Sequence, residues 1–145
     1  CVIYQLTNGL LIPEIMRLVR SPEQASGLWA AIENQLISAM SRKDARVFVD
    51  EKEGQVNGFI YASEEEFDGS SACYIQVCIV RPSANGDNIC SELLNKVKGW
   101  AKEKNLKWIY FMTTRNPAAF KRKYHFRYHA TVLKRAVSYE PRGDK

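Results

Sequence analysis

The stretch ACYIQVCIVRPSANGDNICSELL, residues 72–94, decides the fold of this chain. The segment from Ala72 to Val80 is almost wholly apolar, as expected of a strand that is buried on both faces of a sheet. Polar residues follow at once, and either Asn85 or Asp87 can cap a helix. The helix that comes next has one apolar stripe, formed by Ile89, Leu93, Leu94, Val97, Trp100 and Ala101. The stretch therefore predicts a buried strand, a polar turn and a helix that packs on the sheet.

Two helices are predicted upstream, after a short strand over residues 2–6. Pro13 can open the first helix, because the N–H that proline lacks is not needed in the first turn. Ser21 caps the second helix and Pro22 fits its first turn. The apolar stripe of this second helix extends to Met40.

A hairpin is predicted next, with strands over residues 46–50 and 56–62 joined by a turn at Glu53-Gly54. Residues 64–69, EEEFDG, then predict an acidic loop. A solvated loop is the simpler interpretation of its three glutamates, and recognition of a cationic substrate is the alternative.

The last third of the chain predicts a strand over residues 108–112, a short helix that begins at Asn116, and a final strand over residues 128–137. The alternation of strands and helices in the second half predicts a partly parallel sheet. The expected fold class is therefore α/β, of the α+β sandwich type, with a mixed central sheet of about six or seven strands flanked by helices.

Length and composition predict one domain over residues 1–137 and a frayed tail over 138–145. No apolar run reaches the roughly 20 residues of a membrane span, so we expect a cytoplasmic protein with no membrane partner. The formal net charge of +5 favours anionic partners such as CoA phosphates, although a solvated basic surface explains it equally well.

Four cysteines occur, at positions 1, 73, 78 and 90. In a regular strand, Cys73 and Cys78 would point to opposite faces, because they are an odd number of positions apart. The chain contains no CxxC pair, so we expect reduced thiols and no metal site.

Two segments resemble the GCN5-related N-acetyltransferase (GNAT) family. Val80-Arg81-Pro82, the polar turn and Leu93-Leu94 are similar to the family's strand, V-x-P, phosphate loop and helix. Residues 116–126, NPAAFKRKYHF, are similar to the family's Asn…Ala…Gly-Phe helix, which leads into its last strand. The resemblance implies an acetyl-CoA-dependent N-acetyltransferase.

The resemblance also implies where acetyl-CoA binds. A helix N-terminus presents unpaired N–H groups and partial positive charge, which suit a pyrophosphate. The implied cofactor-binding residues are Cys78, Ile79, Val80, Asn85, Gly86, Asp87, Asn88, Ile89, Cys90, Asn116 and Phe120. Departures from the family pattern occur in the loop, where Asn88 and Cys90 replace small residues and are expected to crowd the phosphates.

The implied catalytic residues are Tyr124, Tyr74 and Gln76. In the family, a Tyr of the last helix donates a proton to the leaving thiolate, but Lys121 stands at that position here and Tyr124 lies about one turn further on. Tyr74 and Gln76 share one face of the central strand and can hold a water. His125 replaces the family's Gly before Phe126 and is interpreted as a turn or core residue.

Two functions stay open on this evidence. The first is acetylation of an amine, either a small molecule or a protein, and the second is a catalytically inactive GNAT-like domain that serves as a structural or interaction module. The basic residues near 121–127 are not expected to bind nucleic acid, and the sequence is compatible with a homodimer.

Overall fold

The computed structural model describes residues 2–19, 26–67, 69–81, 86–112, 122–127, 129–139 and 141. The chain forms two compact units, residues 1–112 and residues 113–145. The strands of the first unit are β1 (Val2–Gln5), β2 (Ala45–Lys52), β3 (Gln55–Phe67), β4 (Ser70–Val80) and β5 (Ile109–Phe111). Its helices are α1 (Ile12–Val19), α2 (Ser26–Ala39) and α3 (Gly86–Glu103), and a 3₁₀ turn covers Gly9–Leu11.

The five strands form one mixed sheet in the order β1-β2-β3-β4-β5. The first four are antiparallel neighbours, and β5 pairs parallel to β4 after the α3 crossover. The predicted fold class is confirmed, but the described residues form five strands and not the six or seven predicted. The strand predicted over 128–137 is not formed in residues 129–137, where all side chains are exposed and no apolar face is buried to stabilise a strand.

The sheet has two covered faces. We call the side toward α1 and α2 the front face; its core includes Val47, Val49, Phe59 and Tyr61, together with Ile15 and Leu36 of the helices. The side toward α3 is the back face, where Phe48, Ile60 and Ala62 are buried. Across it, Arg46 lies 5.7 Å from the Trp100 ring centroid of α3.

The acidic segment is not a loop, contrary to the prediction. Residues 64–67 continue β3, with Glu64 paired to Cys73 and Phe67 paired to Ser70 of β4. The Phe67 ring stacks on Tyr110 of β5, with centroids 4.1 Å apart. Strand pairing and this aromatic contact outweigh the low strand propensity of three consecutive glutamates.

A β-bulge interrupts β4 at Gln76. Tyr61 of β3 pairs with Val77 and the next residue, Ala62, pairs with Ile75, so Gln76 is the additional residue. The bulge shifts the alternation of side chains by one position. Cys73 and Cys78 therefore both lie on the back face, and the prediction of opposite faces is wrong.

The C-terminal end of α3 is capped at Asn105. Asn105 has φ 60°, in the left-handed region. The N–H of Leu106 donates to the Ala101 carbonyl at 2.8 Å and that of Asn105 to Lys102 at 3.1 Å, which is the Schellman arrangement. In the described residues, no helix is long and apolar enough to cross a membrane.

Candidate functional site

The described pairing of β4 with β5 covers only part of β4. Their pairing begins at Cys73–Ile109 and ends at Ile75–Phe111, whereas β4 continues to Val80. Residues 76–80 of β4 are therefore not paired with β5. A row of strand N–H and C=O groups without a β5 partner can bind an extended ligand in the manner of an added strand.

The far end of β4 is held firmly to β3. The backbone N–H of Arg81 donates to the Asn57 carbonyl at 2.7 Å. The Arg81 guanidinium also donates to the Val56 carbonyl, at 3.0 Å. These bonds fix the strand just before the polar turn that leads to α3.

A polar network lies on the front face at the bulge. The Ser63 hydroxyl donates to Glu65 Oε1 at 2.9 Å. Gln76 Nε2 donates to Ser63 Oγ at 2.9 Å and to Glu65 Oε1 at 3.4 Å. Ser63 is fully buried, whereas Gln76 and Glu65 are exposed. The network therefore joins a buried hydroxyl to two side chains that meet solvent.

Tyr61 extends the buried polar part of the front face toward α2. Burial raises the pKa of the Tyr61 phenol. Arg42 and Asp44 lie nearby and form their own ion pair at 2.8 Å; the Arg42 hydrogen bond lowers the pKa of Asp44. Tyr61 is thus a neutral hydrogen-bonding group at neutral pH.

The back face behind β4 contains two neighbouring thiols. A hydrogen bond with Cys90 and burial together raise the pKa of Cys78. Cys90 lies in the first turns of α3, and its partner lies on the sheet. The Cys90 side chain therefore packs against β4, and crowding of the phosphates by this residue stays a prediction.

Asp50 is a fully buried carboxyl on the back face of β2. Neither of its oxygens has a hydrogen-bond partner within the described part of the chain. Burial raises the pKa of Asp50, and the charge of Glu92 on α3 raises it further. This environment favours the protonated acid.

An open cavity of about 360 Å³ lies between α1, the β2–β3 turn and Arg81. Its charged lining side chains offset each other in sign: Glu14, Glu53, Arg17 and Arg81. This balance favours neither an anion nor a cation, so the cavity does not indicate a ligand class.

The structure places part of the predicted site in the first unit. Tyr74 and Gln76 share the front face as predicted, and residues 78–80 occupy the β4 segment beyond the last pair with β5. Asn88 is exposed and Ile89 is buried on α3. Only the helical backbone is described for Gly86 and Asp87.

The other predicted site residues belong to the second unit or lie outside the described residues. Asn85, Asn116 and Phe120 are outside them. Tyr124 ends a helical turn over residues 122–124 and is half-buried. His125 has φ 62°, so it takes the left-handed conformation at the position where the family pattern has glycine.

Sequence reasoning missed Ser63 and assigned Glu65 to a loop. Both alternate with Tyr61 along β3, a period of two that signals one strand face. Extending the predicted strand past Ala62 would have placed them beside Gln76.

The model of the acetyltransferase (GNAT) family matches residues 12–126. The match covers most of the 145 residues, so this chain belongs to the acetyltransferase (GNAT) family, whose enzymes use acetyl-CoA as co-substrate. The resemblance seen in the two sequence segments is thereby confirmed. No curated protein matches the chain at a significant level.

Solved structures of acetyltransferases share the fold. The apo aminoglycoside antibiotic 6′-N-acetyltransferase AAC(6′)-IG from Acinetobacter haemolyticus is 14 % identical with a TM-score of 0.75, over 97 % of this chain and 100 % of that chain. Aminoglycoside N-acetyltransferase AAC(6′)-Iy with CoA is 16 % identical with a TM-score of 0.74, over 94 % of each chain. A predicted acetyltransferase from Clostridium acetobutylicum, solved with acetyl-CoA, is 14 % identical with a TM-score of 0.70, over 94 % of this chain and 97 % of that chain.

Proposed function

We propose that this protein transfers the acetyl group of acetyl-CoA to a primary amine. The observation that carries the proposal is that the β4–β5 pairing ends at Ile75–Phe111, directly before the Gln76 bulge, while β4 continues to Val80. In chain order, α3 is the next element after β4, and it begins at Gly86.

The residues of β4 and of the first turn of α3 suit the parts of acetyl-CoA. The backbone of residues 78–80 can hydrogen-bond the amides of the pantetheine arm. The first turn of α3, from Gly86, offers N–H groups and partial positive charge to the pyrophosphate. Packing of Cys90 against Cys78 keeps a thiol side chain on the sheet side of this turn. When bound, acetyl-CoA supplies an activated thioester.

The protein then contributes mainly by positioning the two reactants. In the transfer, the amine nitrogen forms a bond to the acetyl carbonyl carbon, the carbon–sulfur bond breaks, the amine loses a proton to water, and the sulfur leaves as a thiol after protonation. Holding the two reactants together in the right geometry can lower the activation free energy by about 7 kcal/mol or more in favourable cases. Tyr74 and Gln76 at the bulge are the proposed catalytic side chains, and the catalytic role of Tyr124 stays a prediction from the sequence.

Two observations support a choice of acceptor class to examine, namely the structural neighbours and the local charge. Two of the solved structures described above are aminoglycoside N-acetyltransferases. Glu65 places negative charge on the front face of β3 beside the bulge, which attracts a cationic amine. We propose an aminoglycoside or a similar polyamine as the first acceptor class to examine.

Isothermal titration calorimetry with acetyl-CoA tests the cofactor, and release of the CoA thiol with a panel of amines tests transfer. We expect saturable binding and amine-dependent thiol release. Binding without release for every amine would favour the inactive interaction module. No binding at millimolar acetyl-CoA would contradict the transferase itself.

A further inference from the structure

The hydrogen bonds at the β4 bulge have a fixed direction. A carboxylate only accepts hydrogen bonds, so both bonds to Glu65 are donated by its neighbours. The single hydroxyl proton of Ser63 is used in its bond to Glu65, at 2.9 Å. The Ser63 oxygen can therefore only accept from Gln76.

This direction determines which way the Gln76 carboxamide is turned. Its amino group must face Ser63 and Glu65, to which it donates at 2.9 Å and 3.4 Å. The carbonyl oxygen of the same group must then point away from the network. Reversal of the amide would place an acceptor against two acceptors and would leave the buried Ser63 oxygen without its donor, which is costly.

The bulge places this oriented group at a particular point of the sheet. Gln76 is the first residue of β4 beyond the last pair with β5, and its side chain meets solvent. In a transfer reaction the amine lone pair must point at the carbonyl carbon. An acceptor on the opposite side, which binds one amine N–H, holds the lone pair in that direction.

We infer that the Gln76 carbonyl oxygen accepts a hydrogen bond from the N–H of a primary amine substrate, and that Ser63 and Glu65 are positioning residues that hold the carboxamide in the required orientation. The inference rests on the proposed acetyl transfer. In this arrangement the neutral amide of Gln76 orients the substrate, and the negatively charged Glu65 contacts that amide from behind. Proton removal from the amine is left to water.

The first experiment observes the amide itself. The side-chain NH₂ resonances of Gln76 are assigned by NMR from their loss in Gln76→Leu, and neamine or a lysine-containing tetrapeptide is titrated into the full chain. We expect neamine, the peptide or both to shift these resonances. The compound that shifts the Gln76 resonances shows which of the two sources of primary amine the site binds. Unshifted resonances with both amines, in a protein that binds acetyl-CoA, would overturn the inference.

The second experiment uses kinetics with four variants. Gln76→Leu removes the acceptor, Ser63→Ala and Glu65→Gln remove its supports, and Glu66→Gln is the control because it deletes the same charge one position further along β3. We expect kcat/KM for the amine to fall about tenfold for Gln76→Leu and about threefold for Ser63→Ala and Glu65→Gln, as befits one hydrogen bond and its support. The Kd of acetyl-CoA should stay constant in all four, and Glu66→Gln should match the wild type.

The outcomes separate the two levels of the proposal. Failure of the wild type to bind acetyl-CoA would contradict the proposed function, while a neamine- or peptide-induced shift at Gln76 would still support amine binding there. A fall in kcat/KM that is equal for Glu65→Gln and Glu66→Gln would reduce the role of Glu65 to its charge and overturn the positioning. Thermal melting of each variant identifies any loss that comes from unfolding.

Discussion

Replacement of Gly58 by alanine should destabilise the protein, although alanine for glycine normally favours folding. Gly58 lies on β3 where the start of α3 approaches the sheet. A Cβ there would lie 3.0 Å from Ile89 Cγ2, 3.3 Å from Val80 Cγ2 and 3.3 Å from the Ile79 carbonyl oxygen. Carbon atoms pack best at about 3.5–4.0 Å, so the new methyl group is too close to its carbon neighbours by several tenths of an ångström.

Two effects oppose each other in this substitution. Alanine restricts the unfolded chain and thereby adds about 0.4–1 kcal/mol of stability where the native backbone accepts it. Overpacking of a core costs about 1–3 kcal/mol, and the Ile79 carbonyl cannot move away because β4 is paired with β3 at this point. We expect a net loss of about 1–2 kcal/mol, or about 3–8 °C in Tm for a chain of this size.

Differential scanning calorimetry of Gly58→Ala and Gly99→Ala measures the effect against a matched control. Gly99 lies inside α3, and a Cβ there has no atom within 4 Å, so this variant should gain about 0.5–1 kcal/mol. Adding Ile89→Leu, which moves the side-chain branch away from Gly58, should recover part of the loss. A Tm of Gly58→Ala at or above that of the wild type would refute the reasoning.

Three further predictions concern buried or strained groups. Asp50→Asn should raise the free energy of unfolding at pH 7 and leave it unchanged near pH 3. The pKa of Asp50 is raised above its ordinary value of 3.8, so the wild type loses stability as the pH rises from 3.8 through the raised pKa and the carboxyl loses its proton. Urea titrations at both pH values test this, and a wild type more stable than the variant at pH 7 would contradict it. Asn105→Ala should cost about 1 kcal/mol and Asn105→Gly should cost nothing, since φ is 60° there; equal melting temperatures of the two variants would count against it. Burial raises the pKa of Cys73 to about 12. Iodoacetamide at pH 8 should therefore leave this thiol unmodified in the folded protein and modify it in urea, as measured by mass spectrometry. Rapid labelling of Cys73 in the folded protein would contradict the prediction.

Much of the first unit was predictable because its elements have strong local signals. The apolar run from Ala72 to Val80 and the stripe on α3 indicated a buried strand and its covering helix, and Glu53-Gly54 indicated the β2–β3 turn. Left-handed backbone at Glu53 and Gly54 agrees with the turn expected there. In each case the residues that determine the structure are neighbours in sequence.

The candidate site was less predictable because its geometry depends on pairing between distant residues. A bulge at Gln76 needs no glycine and has no local signature; it exists because the register with β3 changes between Tyr61 and Ala62. That change reversed the expected face of Cys78. The extension of β3 through Glu65 likewise depends on Phe67 meeting Tyr110, which is 43 positions away in the sequence.

The same dependence explains how a chain that departs from the family's loop pattern can keep the geometry for acyl transfer. The bulge and the approach of α3 to Gly58 are properties of backbone pairing and close packing. At position 90 this chain has a cysteine where the family pattern has a small residue. The Cys90 side chain packs against Cys78, on the sheet side of the helix start. Selectivity for the amine would then reside in the few side chains on the front face at the bulge. Changes at Ser63, Glu65 and Gln76 should therefore alter the choice of acceptor, while changes at Gly58 should weaken acetyl-CoA binding by displacing α3.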